Sequence, residues 1–435
     1  MPPAGGPMHP VVKAPESSRF LKLPEDFALQ GAESGSAGAT FPQGFLASGM
    51  SVGLKGSGRP DIGILAVSGE WREVATSAAL FTPNAFAAAP VVIAKEECDL
   101  GGLSAVVVNS GNANACTGPQ GLQTARSTRD AVGEVLGLSP EVVAVSSTGV
   151  IGEQIDAAVL SAGARQAAAE ICPDGGPAFA RSIMTTDRFP KVAAGTVSLG
   201  SESVRVGGCA KGAGMIAPAL ATMLCYLTTD AVLSRQEAAR LLEDAAERTF
   251  NRVTVDGEMS TNDSVFLLAS GASGIKPSGP ELQRLAAAVE AVMMRLALMM
   301  VADGEGATKI IRVSIEDADT VETAETVARA VADSPLVKTA MNGNDPNWGR
   351  IMSSAGAALP GRRIPNASLQ LCGVTVVERS AVCPLSAQQR KQLATSMREP
   401  EVEVCLKLGL GTADAEVFFS DLGHDYVTIN ADYHS

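Results

Sequence analysis

The sequence predicts an α/β fold on two observations. Short β-branched runs at 105–108 and 142–145 each lead into a polar, glycine-bearing segment, Asn109-Ser110-Gly111 and Ser147-Thr148-Gly149. Alanine-rich stretches with helical spacing, such as 155–171, lie between and after them. Runs of the first kind suit buried strands ending in loops, and their alternation with helices suits a layered α/β protein.

The elements follow in order. Residues 1 to about 40 are rich in Pro, Gly, Ser and Ala and read as a flexible leader, with FPQGF at 41–45 opening the folded part. The leader carries Glu16, Glu25 and Asp26 and lacks an apolar core, which disfavours a secretory or transit segment. Ser234 with Glu237, and Ser386 with Gln389, have the spacing of capping boxes and predict helix starts. Asp345-Pro346 suits an N-cap followed by proline at the first helical position. Residues 281–302 predict an apolar helix packed on two sides, since Arg284, Glu290 and Arg295 are its sparse charges besides Glu281. The tail reads as two paired strands, 415–419 and 426–429.

Composition narrows the function. The 435 residues are 46% hydrophobic and 19% charged, enough for a substantial core in one large domain or two ordinary ones. A net charge of −13 without a basic tract argues against nucleic acid and anionic membranes as partners. The apolar stretches at 215–227 and 292–302 are short or broken by Pro218 and Arg295, against the roughly 20 residues needed to span a bilayer. Eight scattered cysteines without a C-x-x-C pair fit a reducing compartment. The expectation is a cytoplasmic protein, or an organelle-matrix one if the leader is a transit segment.

The chain has three histidines, His9, His424 and His434, all at its extremes. An imidazole-activated Ser or Cys inside the body is therefore not expected, nor is a metal site of histidine or cysteine ligands. No Gly-Lys dipeptide occurs, so a phosphate-binding Walker loop is absent. A threonine freed at its amino end offers another route, because its own α-amine, with a reference pKa of roughly 7.7 to 8.0, can take the hydroxyl proton.

From about residue 41 to 435 the chain resembles the ornithine acetyltransferase, or ArgJ, family. The resemblance rests on NSGNANACTG at 109–118, STGVIG at 147–152, KGAGMIAP at 211–218, ATML at 221–224, VDGEMSTND at 255–263, DGEGATK at 303–309, Lys338-Thr339, DPNWGR at 345–350 and Ile429-Asn430, in family order. It implies a self-processing N-terminal-nucleophile enzyme with a layered α-β-β-α sandwich shared with DmpA-like proteins. The activity implied is acetyl transfer from N2-acetyl-L-ornithine to L-glutamate in arginine biosynthesis; some members also accept acetyl-CoA, and no cofactor is bound.

By the same resemblance the precursor cuts between Ala221 and Thr222. Residues 41–221 become an α chain and 222–435 a β chain with a smaller C-terminal αβ lobe, the two chains pairing further into a heterotetramer. Thr222 is then the nucleophile, Thr148 and Gly149 the oxyanion hole, and Thr185, Lys211, Thr222, Glu305, Asn430 and Ser435 the substrate-binding set. The glycine-asparagine block at 109–118 and the segment 345–350 read as architectural. Three departures from the family pattern stand out: Ala219-Leu220 where Asn-Met is usual, Glu258 for the second Asp of VDGD, and Ser435 for Thr. The rival readings are an amide hydrolase or aminopeptidase on the same fold, a specialised-metabolism acetyltransferase paralogue, and an unprocessed, non-catalytic paralogue.

Overall fold

The computed structural model describes residues 18–30, 38–217 and 223–432. Two sheets pack face to face. The first has four strands in the order Phe45–Met50, Ile62–Val67, Ala105–Asn112, Val143–Val150. The second has six, in the order Phe27–Leu29, Lys191–Leu199, Glu202–Lys211, Leu224–Thr229, Ser264–Ala269, Thr76–Phe81.

Both sheets are buried on both faces, which is why their strands are nearly continuous in apolar residues. Side chains alternate across a strand. In Ala105–Asn112, Val106 and Val108 therefore enter the space between the sheets with Tyr226, Phe266 and Leu268. Ala105 and Val107 instead face the helices Gly118–Leu136 and Ala157–Ala169 through Ala131, Val132, Leu160 and Ala164. On the far side of the second sheet, Cys225, Leu227, Val265 and Leu267 pack on the helices Arg235–Arg248 and Pro280–Ala302. The layers are thus helix, sheet, sheet, helix, as expected. Between the sheets the Tyr226 hydroxyl shares a 2.7 Å hydrogen bond with Ser146 Oγ, so a buried phenol is satisfied across the interface.

A third, seven-stranded sheet, ordered Val253–Thr254, Ala413–Ser420, Ile310–Ala318, Glu401–Lys407, Ser368–Leu371, Val374–Glu378, Ala381–Val382, builds the C-terminal lobe. Its core closes over the helices Val321–Ala332 and Trp348–Ala357. Pro280–Ala302, of 23 residues with a mean hydropathy of 1.9 over its most apolar 18-residue window, is long and apolar enough to cross a bilayer. It packs instead between the six-stranded sheet and the lobe's strand Ala413–Ser420, so its apolarity is that of a core helix.

Several expectations need correction. The 109–111 and 147–149 segments are not loops: both strands run on, to Asn112 and to Val150, because their polar residues pair with each other across the ladder. Phe27–Leu29 lies within the stretch read as leader yet pairs antiparallel with Val197, Thr196 and Gly195, so folded structure begins before Phe41. The cap at 345–350 is Asn347, whose side chain accepts from Arg350 N, with the helix starting at Trp348 and not at Pro346. Residues 426–429 belong to a helix, His424–Asp432, and not to a strand. Both capping boxes form as expected, at Ser234 and Ser386.

Candidate active site

The strands Ala105–Asn112 and Val143–Val150 run parallel and end together at one edge of the sandwich, where Gly111 lies opposite Gly149. Gly149 has φ +133°, and a Cβ there would stand 2.3 Å from the Gly111 carbonyl carbon. Glycine alone permits that approach. Lys211, which opens the KGAGMIAP block, is the last residue of the strand Glu202–Lys211 and pairs with Leu224.

These strand ends open onto a cavity of about 210 Å³ lined by Thr148, Gly149, Thr185, Thr186, Lys211, Glu305 and Asn430, with Asp256, Glu258 and Tyr426 at its acidic side. Six residues singled out in the sequence, from five separated segments, thus meet in one cavity. Ala221, Thr222 and Ser435 lie outside the described residues; the described chain resumes at Met223, which is buried.

Lys211 is 4% exposed and its Nζ donates to Thr148 Oγ1 over 3.1 Å, leaving the threonine hydroxyl proton free to point elsewhere. Burial pulls its pKa below the usual lysine range against the attraction of Asp187. Glu305 is held by Asn430 Nδ2 at 2.7 Å and through its own N–H to the Ala213 carbonyl at 2.8 Å. A Cβ at Gly214 would come within 2.6 Å of the Glu305 carboxyl, so the glycine leaves that side chain its room. A cation and an anion lining one small cavity suit a zwitterionic amino acid. Thr148 and Gly149 line the same cavity, and a hydroxyl and a backbone N–H are the kinds of donor that can stabilise an oxyanion.

Beneath the cavity lies a buried ion network that the sequence did not suggest. Lys191 Nζ bridges Asp187 Oδ1 at 2.6 Å and Asp303 Oδ2 at 2.5 Å, all three side chains being fully buried. Asp187 also accepts from Gly212 N at 2.8 Å and Thr185 N at 2.9 Å, and Asp303 from Arg188 Nε at 2.8 Å. One network therefore fixes the segments that carry Lys211, Thr185 and Glu305. Burial pushes the Asp187 carboxyl up, but Lys191 and Lys211 more than offset this and hold it well below the usual carboxylate range. Its contribution to stability is present above the ordinary aspartate range near pH 4 and is lost as pH falls below it. Lys191→Met, which removes the cation shared by two buried carboxylates and leaves Asp303 its Arg188 pair, should cost on the order of 3–5 kcal/mol in urea unfolding at neutral pH. A cost below about 1 kcal/mol would remove the network from this role.

Further neighbours were missed. Asp256 accepts from Met215 N at 2.6 Å, Ile216 N at 2.8 Å and the Tyr426 hydroxyl at 3.2 Å, and burial raises its pKa. Asn262 Nδ2 donates to the carbonyls of Ala113 at 2.6 Å and Ser147 at 2.9 Å, bracing the wall that ends in Gly149. Asp256 and Asn262 stand in the VDGEMSTND block, but the partners just named lie 40 to 170 residues away along the chain. Tyr426 carries no sequence signal, since its stretch reads as a strand.

The comparisons with known proteins bear on this arrangement. The ArgJ family profile matches residues 46–435. The bifunctional arginine biosynthesis protein ArgJ of Nitratidesulfovibrio vulgaris is 44% identical over 399 residues, covering 91% of this chain and 99% of that protein. That of Bifidobacterium longum is 42% identical, with the same coverage. Among solved structures, an ornithine acetyltransferase complexed with ornithine from Mycobacterium tuberculosis is 36% identical, with TM-score 0.40, covering 46% of this chain and all of that one. The Bacillus halodurans ArgJ structure is 32% identical, with TM-score 0.45, covering 48% of this chain and 98% of that one. A profile match over most of the residues, and relatives this similar along their whole length, place the chain in the ArgJ family.

Proposed function

We propose that this chain is a glutamate N-acetyltransferase of arginine biosynthesis, taking acetyl from N2-acetyl-L-ornithine through an acetyl-enzyme at Thr222. The observation that carries the reading is the convergence of Thr148, Gly149, Thr185, Lys211, Glu305 and Asn430 on one cavity. The central strand Leu224–Thr229 begins two residues after Thr222, with Leu224 paired to Lys211.

In the precursor the Thr222 hydroxyl attacks the Ala221 carbonyl carbon. The acyl group moves from nitrogen to oxygen, which breaks the peptide C–N bond and frees the Thr222 amine, and water then cleaves the ester to release the Ala221 carboxylate and restore the Thr222 hydroxyl. In the mature enzyme that amine accepts the Thr222 hydroxyl proton as the oxygen attacks the acetyl carbonyl. The tetrahedral oxyanion is stabilised by donors at Thr148 and Gly149. When the C–N bond breaks, the proton passes from the Thr222 ammonium to the departing ornithine amine. Glutamate then attacks the ester, its amine proton goes to the Thr222 amine, and the hydroxyl is restored. Lys211 pairs with the α-carboxylate common to both amino acids, and Glu305 receives the ornithine ammonium. Asn430 orients Glu305, while Thr185 and Ser435 complete the substrate contacts.

Ping-pong kinetics follow, with ornithine leaving before glutamate binds. Intact mass spectrometry of the expressed protein should give two fragments, the second beginning at Thr222, and the protein should form acetylglutamate from acetylornithine and glutamate. Free acetate without acetylglutamate would make it a hydrolase, and a single inactive chain would sink the reading.

A further inference from the structure

The carboxyl of Asp263 is a group the scheme above does not use. Asp263 is fully buried at the entry to Ser264–Ala269, the strand that pairs parallel with Leu224–Thr229. Its Oδ1 accepts from Met223 N at 2.9 Å. Its Oδ2 is buried and has no hydrogen-bond partner among the described residues. Leaving a carboxyl oxygen unsatisfied in the interior costs on the order of 1–3 kcal/mol or more, so a native structure that keeps one has a use for it.

The surroundings narrow that use. On the same strand entry, Asn262 grips the Ala113 and Ser147 carbonyls, while Asp263 grips the backbone that follows position 222. Two adjacent side chains thus clamp the Thr148–Gly149 wall and the nucleophile's strand at a fixed separation. From the neighbouring strand Thr76–Phe81, Thr82 N donates to the Asp263 carbonyl and brings no charge. Lys211, at the end of Glu202–Lys211, is the cation that attracts the carboxyl, without a hydrogen bond to it. Met223 N, 2.9 Å from Oδ1, belongs to the peptide unit that joins residue 223 to position 222 in the sequence.

We infer that Asp263 is the positioning residue for the α-amino group created at Thr222, with the free Oδ2 accepting a hydrogen bond from it. The inference rests on the proposed cleavage before Thr222. Among the described residues no cation is bonded to the carboxyl, and burial raises its pKa well above the usual range. Cleavage supplies the missing cation. The carboxylate form of Asp263 then pairs with the new ammonium. In each catalytic cycle Asp263 keeps the amine turned toward the threonine hydroxyl while the amine alone takes up and returns the proton.

Asp263→Asn keeps the shape but places either a non-accepting amide nitrogen or a neutral oxygen beside the amine. In the mature variant kcat should fall roughly 10- to 100-fold with KM for acetylornithine within about twofold, as expected for a misaligned base. The acid limb of its pH–rate profile should move down by about one unit, because an amine without its carboxylate loses its proton more readily. A purely structural role would leave that limb in place. Asp263→Glu, which retains the charge, should keep the acid limb near its wild-type position.

A cleaved Asp263→Asn enzyme with wild-type kcat and an unmoved acid limb overturns the inference while leaving the transferase reading intact. Wild-type protein that is never cut before Thr222 overturns both. A crystal structure of the cleaved wild-type enzyme decides the matter even if the variant does not mature. Oδ2 within about 3.2 Å of the Thr222 amino nitrogen supports the inference, and a carboxyl bonded elsewhere refutes it.

Discussion

Thr222→Ala is expected to yield one uncut chain that forms no acetylglutamate. The same oxygen serves both reactions in the proposed scheme, so one substitution removes the attack on Ala221 and the acceptor for acetyl. Where a covalent nucleophile is lost, the residual rate is that of binding and electrostatics alone, a loss of about 10⁴-fold or more. The fold should survive, because the layers on either side of Leu224–Thr229 are held by side chains that the substitution does not touch. Intact mass, far-UV circular dichroism and the acetylglutamate assay read the three parts separately. Thr222→Ser should restore cutting and transfer. Acetylglutamate formed at the wild-type rate by Thr222→Ala would place the nucleophile elsewhere.

Gly149→Ala should be nearly as damaging without touching the nucleophile. An alanine Cβ would meet the Gly111 carbonyl carbon at 2.3 Å and Asn112 N at 2.5 Å, backbone atoms of a paired strand that cannot swing aside. The φ of +133° adds strain of about 1–3 kcal/mol for any side chain. The ladder must part, and the donor edge facing the cavity moves with it. Loss of one oxyanion donor costs on the order of 10²- to 10³-fold in kcat. In the proposed scheme self-cleavage passes through an oxyanion at the same place, so precursor processing should slow in parallel. Time-resolved gel analysis of processing and steady-state kinetics of the matured fraction measure the two. Slowed transfer with unimpaired processing would mean that the two reactions use different donors.

The sequence made the layers legible because its periodicities are local. The apolar runs, the alanine-rich helices and the capping boxes at Ser234 and Ser386 each reside within a few residues. The ends of elements were harder. Segments such as 109–111 and 147–149 read as loops because polar residues and glycine signal turns, whereas here they satisfy each other across a parallel ladder. The helix His424–Asp432 was mistaken for a strand because Tyr426, Val427, Thr428 and Ile429 favour strands by propensity. Docking against the cavity, with Tyr426 on Asp256 and Asn430 on Glu305, decides otherwise.

In the candidate site, the cavity-lining residues were legible only through motif resemblance; composition contributed the scarcity of histidine. The triad of Asp187, Lys191 and Asp303 was invisible, because Lys191 and Asp303 are 112 residues apart and, although Asp303 opens the DGEGATK block, nothing along the chain links it to Lys191 or Asp187. The lone oxygen of Asp263 is a fact of three-dimensional packing that no spacing announces.

The six-stranded sheet carries a consequence for the protein's persistence. Leu224–Thr229 and Ser264–Ala269, both after the proposed cut, are flanked by Glu202–Lys211 on one side and Thr76–Phe81 on the other, both before it. The two polypeptides would therefore be woven through one hydrogen-bonded sheet, and neither could leave without tearing its centre. Unfolding of the mature enzyme becomes a dissociation, its midpoint rising with protein concentration. Once the halves separate, reassembly is a second-order search between chains that were made as one. The nicked protein would owe its lifetime to the height of its unfolding barrier and not to reversible equilibrium.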